Sequence, residues 1–320
     1  MTPNTPFETV RTRIIGGQGD TDIDALTVLA TAVTGKPYAL VSVLDGPIRW
    51  SKAECGISVP PAPRELSFCS ACVEAGEILI VDDAASDPRF ASLPAVSGRA
   101  GIRFYAGLPL HVKVGNIEFD ATLCVLDSAP GRLEEGQLDH LKRLGALLRF
   151  LLIAKLAAAT DHVTGLWNKR TFDETMKAML AVSRRTGTAV HLCLLDVDHF
   201  KTINDSYGHD SGDRVLQSLA TLLTSACPAD SVLCRLGGDE FAVLYATGGR
   251  DAATEFFRKL PSKLQYRLHE GPVVSVTAGH AYFTEDMAGA APLFKAADMA
   301  LYEAKRRQRG TSCSFRDLAA

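Results

Sequence analysis

What this chain lacks narrows its class before any motif is read. It has no long uninterrupted apolar run. The most apolar stretch, Leu144 to Ala159, is broken by Arg149 and Lys155 and is too short and too charged to span a bilayer. It lacks a strong charge bias: 34 basic against 37 acidic residues leave a net charge of −3, which speaks against a nucleic-acid or anionic-membrane partner. Met1 to Arg13 holds no apolar signal-peptide core, so the expectation is a soluble, cytoplasmic protein. It also lacks a second cysteine pair to complete a zinc site with Cys69-Ser70-Ala71-Cys72. Its eight cysteines are scattered, and Cys124, Cys193 and Cys234 sit in apolar runs. They read most simply as small buried hydrophobes in a reducing compartment, with a redox role for Cys69 and Cys72 as the less favoured reading.

What is present suits an ordinary globular protein. At 320 residues two domains are expected, and 47% apolar content is enough for their cores. Arg235-Leu236-Gly237-Gly238-Asp239-Glu240-Phe241 lies between two apolar runs, Val232 to Leu236 and Phe241 to Leu244. This reads as a β-hairpin whose turn needs glycine's freedom. Bare glycines let a phosphate approach the backbone, and the carboxylates Asp239 and Glu240 suit a hard divalent cation. The apolar run Ala189 to Leu195 reads as a buried strand. It ends in Asp196-Val197-Asp198, with Lys201 a few residues on, which can anchor metal and neutralise phosphate. Asn204 and Asp213 can read a base edge by hydrogen bonding. Either segment alone could be a solvated polar loop; two together point to a site for a metal-bound nucleoside triphosphate.

These motifs resemble the GGDEF family of diguanylate cyclases, whose signature stands at 237–241. Similar to the family as well are Asp161-His162-Val163-Thr164, Asp-x-Asp-x-Phe-Lys-x-Ile-Asn-Asp at 196–205, Gly208-His209 with Gly212-Asp213, and Ala297 to Lys305. The resemblance implies condensation of two GTP into cyclic di-GMP plus two pyrophosphate, with Mg²⁺ or Mn²⁺, in a homodimer. It makes Asp196, the Val197 carbonyl, Asp239 and Glu240 the metal site, with Asp239 also helping to deprotonate the 3′-hydroxyl. It gives phosphate charge to Lys201, close approach of substrate to Gly237 and Gly238, and guanine recognition to Asn204 and Asp213. Phe200 and His209 line the same pocket. Lys305 and Arg309, four apart on the last helix, meet the triphosphate, although this chain has Gln308-Arg309-Gly310 where the family often has Gly-Arg-Asn. An inhibitory Arg-x-x-Asp site common in the family is replaced by Pro228 and Ser231. The alternative reading is a non-catalytic GTP-binding or ligand-sensing regulator with a vestigial cyclase half.

The N-terminal half resembles a GAF domain through Ser67-Phe68-Cys69, Val81 to Ala84, Asp87 to Phe90, Gly101 to Leu110 and Thr122 to Asp127. This implies a sensor that takes an unidentified small molecule or none. Strands are expected at 39–44, 78–81, 107–112 and 121–126, and a helix at 23–34. The fold class expected is α+β: a flexible arm at 1–21, a GAF domain at 22–137 with an antiparallel sheet flanked by helices, a linker helix at 138–160, and a GGDEF domain at 161–320 with a ferredoxin-like palm. In the linker, Leu141, Leu144, Leu148 and Leu151 follow a 3-4-3 spacing that suits a coiled-coil seam or a helix packed on its own domain. Asn168 to Glu174 looks like a cyclic-nucleotide signature of GAF domains but lies in the other half, where it reads as a helix entry.

Overall fold

The computed structural model describes residues 19–115, 117–247, 249–267 and 273–318, so residues 1–18 of the expected arm lie outside it. The described chain divides into two compact units at Ala158/Ala159.

The first unit opens with helix α1 (Thr21–Thr34). Asp20 caps it, accepting from the Ile23 amide, and Gly35 ends it in the left-handed conformation. Strands β1 (Tyr38–Asp45) and β2 (Ile48–Cys55) form a hairpin, followed by β3 (Ala62–Pro63), α2 (Phe68–Ala75), β4 (Leu79–Val81), α3 (Pro94–Ser97), β5 (Phe104–Val114) and β6 (Ile117–Asp127). The sheet order is β3-β2-β1-β6-β5-β4, antiparallel throughout. One face carries Leu40, Cys124, Leu126 and Tyr105, packed against Phe68, Cys69 and Cys72 of α2 and the 82–102 segment. Phe68 stacks on Tyr105 with ring centroids 4.7 Å apart.

The long helix α4 (Glu135–Ala159) packs on this unit. Its buried stripe is Leu141, Gly145, Leu148, Leu152 and Leu156, whereas Leu144 and Leu151 of the expected seam are only half-buried. A Cβ at Gly145 would press on Leu108, and Arg149 Nε donates to the His111 carbonyl at 3.0 Å. The helix is therefore seated on its own sheet. Lys155, which interrupts the apolar pattern, pairs with Asp22 at 2.9 Å and Asp20 at 3.1 Å.

The second unit contains β7 (Trp167–Asn168), α5 (Lys169–Thr186), β8 (Ala189–Val197), α6 (Phe200–Tyr207), α7 (His209–Ala226), β9 (Val232–Gly237), β10 (Glu240–Thr247), α8 (Arg250–Leu264), the short pair β11 (Tyr266–Arg267) and β12 (Val273–Val274), β13 (Val276–Tyr282), α9 (Ala290–Arg307) and β14 (Ser312–Ser314). The main sheet runs β14-β13-β8-β10-β9-β7. β8 is buried along its whole length, as its apolar run requires, between antiparallel β10 and β13. Cys193, Leu195 and Val197 alternate onto the face covered by α7 and α8. α9 lies against β13, β8 and β14 and also meets α5. Asn168 caps α5 by accepting from the Thr171 amide, so the Asn168–Glu174 segment is a helix entry. Among the described residues no helix is long and apolar enough to cross a membrane.

Candidate active site

The candidate site forms where β8 and β10 end together. In the antiparallel register Glu240 sits opposite Asp196, and the Val197 amide donates to the Asp239 carbonyl at 3.1 Å. Strand pairing thus sets Asp196, Asp239 and Glu240 at one end of the sheet. Gly237 and Gly238 make the turn with φ of 147° and 52°, and a Cβ on either would meet nothing within 4 Å. The turn is closed by conformation rather than packing, with open space above its backbone. Asp239 is half-buried and Glu240 is exposed.

Asp196 is 8% exposed. Burial pushes its carboxyl above its ordinary value; Lys305 opposes this, and Asp239 and Asp198 add to it. Lys305 Nζ lies 2.7 Å from Asp196 Oδ2. Its neighbour in the pattern, Asp198, does different work. It accepts from Ser275 Oγ and Thr277 Oγ1, each at 2.7 Å, and holds Arg309 Nη1 at 3.3 Å. The two basic residues expected at the triphosphate are thus each tethered to a carboxylate of Asp196-Val197-Asp198.

α6 and α7 meet at Gly208 and carry the remaining expected residues of this region. Asn204 is half-buried, and its Oδ1 is buried with no hydrogen-bond partner. A Cβ at Gly212 would collide with that oxygen and sit 3.2 Å from the Phe200 ring, so glycine here makes room for the Asn204 side chain. Asp213 and His209 lie on the first turns of α7, exposed, and Lys201 is exposed on α6. Gly212→Ala is expected to displace the Asn204 side chain and to cost about 1–3 kcal/mol of stability through overpacking, which a thermal melt checks.

Two residues outside the expected set hold the turn. Arg235 Nη1 contacts both Asp161 oxygens at 3.0 and 3.2 Å, while its Nε and Nη2 donate to the Gly238 carbonyl at 3.0 and 2.8 Å. Burial alone would raise Asp161, yet hydrogen bonds from Thr164 and Arg235 keep it below its ordinary value. Both residues stand in the quoted motifs; the sequence signal was there, but their pairing is tertiary.

Among the described residues no three acidic, histidine or cysteine side chains converge closely enough to hold an ion by themselves. That donor chemistry still fits Mg²⁺, which commonly takes one or two carboxylates and completes its shell with substrate phosphates and water.

The comparisons agree with this architecture. A family model for the diguanylate cyclase GGDEF domain matches residues 158–311, and a GAF domain model matches residues 20–150. The chain is a GGDEF-family protein with a GAF domain. It is 37% identical over 156 residues to diguanylate cyclase DgcP of Pseudomonas aeruginosa, covering 48% of this chain and 23% of that one. It is 34% identical over 218 residues to the uncharacterized protein YhcK of Bacillus subtilis, covering 66% and 58%. Cyclic di-GMP phosphodiesterase PA2567 of P. aeruginosa is 29% identical over 262 residues, covering 80% and 42%. The chain therefore spans less than two thirds of each of these relatives. The solved coiled coil and GGDEF domain of DgcB from Caulobacter crescentus, in complex with c-di-GMP, matches with a TM-score of 0.51 at 26% identity, covering 55% of this chain and 96% of that one.

Proposed function

We propose that this GAF–GGDEF chain is a diguanylate cyclase that condenses two GTP into cyclic di-GMP, under control of its sensor domain. The observation that carries this is the pairing of Asp196 with Glu240 across β8 and β10, which groups the acids at one end of the sheet. In the reaction the 3′-oxygen of each GTP forms a bond to the α-phosphorus of the other. The bond from that phosphorus to the α–β bridging oxygen breaks, and pyrophosphate leaves with the electron pair. Asp196, the Val197 carbonyl, Asp239 and Glu240 would hold the Mg²⁺, which when bound supplies charge neutralisation at the phosphates and acidity at the attacking hydroxyl.

The protein groups do the rest. Asn204 and Asp213 orient guanine, the latter by accepting from its ring N–H and amino group. Phe200 and His209 bound that pocket. Asp239 takes up the 3′-hydroxyl proton. Lys201, Lys305 and Arg309 balance phosphate charge, with Lys305 and Arg309 exchanging a carboxylate partner for the substrate. Gly237 and Gly238 admit the ribose and phosphates to the backbone. One such site holds one GTP, so turnover requires two chains facing each other about a two-fold axis. The rate per chain with GTP and Mg²⁺ is therefore expected to rise with protein concentration and then level off. A rate per chain independent of concentration down to the nanomolar range contradicts the dimeric reading.

Pro228 and Ser231 supply neither the guanidinium nor the carboxylate needed to grip a product dimer at the family's inhibitory site. Product formation is expected to continue without a plateau at micromolar cyclic di-GMP. A plateau relieved by removing the product contradicts this.

A further inference from the structure

The first unit encloses a cavity of about 310 Å³ between the β1–β2–β6 face, α2 and the 57–67 and 94–102 segments. Its walls are apolar: Leu40, Ile57, Val59, Phe68, Ile102 and Leu126 are among them. One charged side chain lines it, Arg49 of β2, whose residue is 3% exposed. Its Nη1 donates to Ser42 Oγ at 3.2 Å and its Nη2 to the Pro60 carbonyl at 2.6 Å. No carboxylate lies within ion-pair distance of it among the described residues. Both of these hydrogen bonds go to neutral acceptors, so the buried cation has no carboxylate to balance it. Its planar fork has donors to spare, and it borders a space large enough for a small molecule.

We infer that this cavity binds a small organic monocarboxylate, its apolar body against Leu40, Phe68 and Ile102 and its carboxylate on Arg49. A fork of parallel N–H groups matches a carboxylate in charge and geometry. The single charge and apolar walls disfavour a bare polyanion, which would bring more charge than Arg49 can balance. Cys69 lies beside the same group: it lines the cavity and its thiol donates to Ser42 Oγ at 3.4 Å, the hydroxyl that Arg49 also uses. Hydrogen bonding with Cys124, and more weakly the Arg49 charge, draws the Cys69 thiol below its ordinary value against the effect of burial. A bound acid would lie against Cys69, which gives a second readout.

The test is calorimetric titration of the full chain with hexanoate and phenylacetate, with hexanamide and phenylacetamide as uncharged counterparts and inorganic phosphate as a bare anion. At least one acid is expected to bind about tenfold or more tightly than its amide, and phosphate not to bind. R49Q is expected to remove the preference for acid over amide. A95F, which puts a ring into the cavity and leaves Arg49 in place, is expected to abolish binding of both; circular dichroism checks that each variant folds. The bound acid should also slow alkylation of Cys69 by iodoacetamide, read on its own peptide by mass spectrometry. Equal binding of acid and amide, an acid preference that survives in R49Q, binding untouched by A95F, or no binding of either acid at about 10 mM overturns the assignment.

Discussion

Asp239→Ala lowers kcat by about 10³-fold, about 4 kcal/mol in barrier height, with the fold retained. The size follows from what the carboxylate does. Charge builds on the phosphates and on the attacking oxygen in the transition state, so a group that neutralises that charge or takes the proton acts mainly there. The fold survives because Asp239 is half-buried on a turn, and its backbone carbonyl keeps the bond from the Val197 amide. Single-turnover kinetics beside a thermal melt separate the two effects. A loss below tenfold would place the chemistry elsewhere, and a large drop in Tm would make the loss structural.

The second large effect is expected at Arg235, which touches no reacting atom. Arg235→Ala frees the Gly238 carbonyl from two donors and leaves Asp161, whose side chain is 16% exposed, without its ionic partner. A turn built on two glycines then has little to fix it. A displacement of about 1 Å at a phosphoryl-transfer site costs on the order of 10²-fold, so kcat should fall by about that factor. Stability should fall by about 2 kcal/mol through the unpaired carboxylate. Arg235→Lys should recover little activity, because an ammonium cannot reach Asp161 and Gly238 with separate forked donors. Full activity in the Lys variant would mean that charge alone, not the anchored turn, matters.

Much of the site is legible because its residues are adjacent in sequence. Gly237 to Phe241 and Asp196 to Asp205 carry their chemistry in unbroken stretches, and the turn and the buried strand follow from composition. The pairing Arg235–Asp161 spans 74 positions and that of Asp198 with Thr277 spans 79. No local pattern carries such information. The same holds for Gly212, whose importance lies in a side chain eight residues earlier on another helix. In the sensor unit, the strands at 39–44 and 121–126 read from their apolar runs, but β2 does not. Its sequence includes Arg49 and Lys52, both buried, which is the reverse of what alternation leads one to expect. In the linker the sequence leaves two readings open, and the structure shows the helix packed on its own domain. Leu141 and Leu148 mark the buried stripe of α4, but a 3-4-3 run of leucines also satisfies a neighbouring stripe. Gly145, which lets the helix approach Leu108 and Leu110, decides between them. A residue with no side chain gives no hydrophobic signal.

The most direct measurement is chromatography with mass detection of the products formed from GTP and Mg²⁺ by the purified chain, run beside the Asp239→Ala variant. The account predicts cyclic di-GMP and pyrophosphate from the native chain, at protein concentrations that favour association, and none from the variant. GTP left unchanged by the native chain under those conditions, or cyclic di-GMP formed equally by the variant, would contradict it.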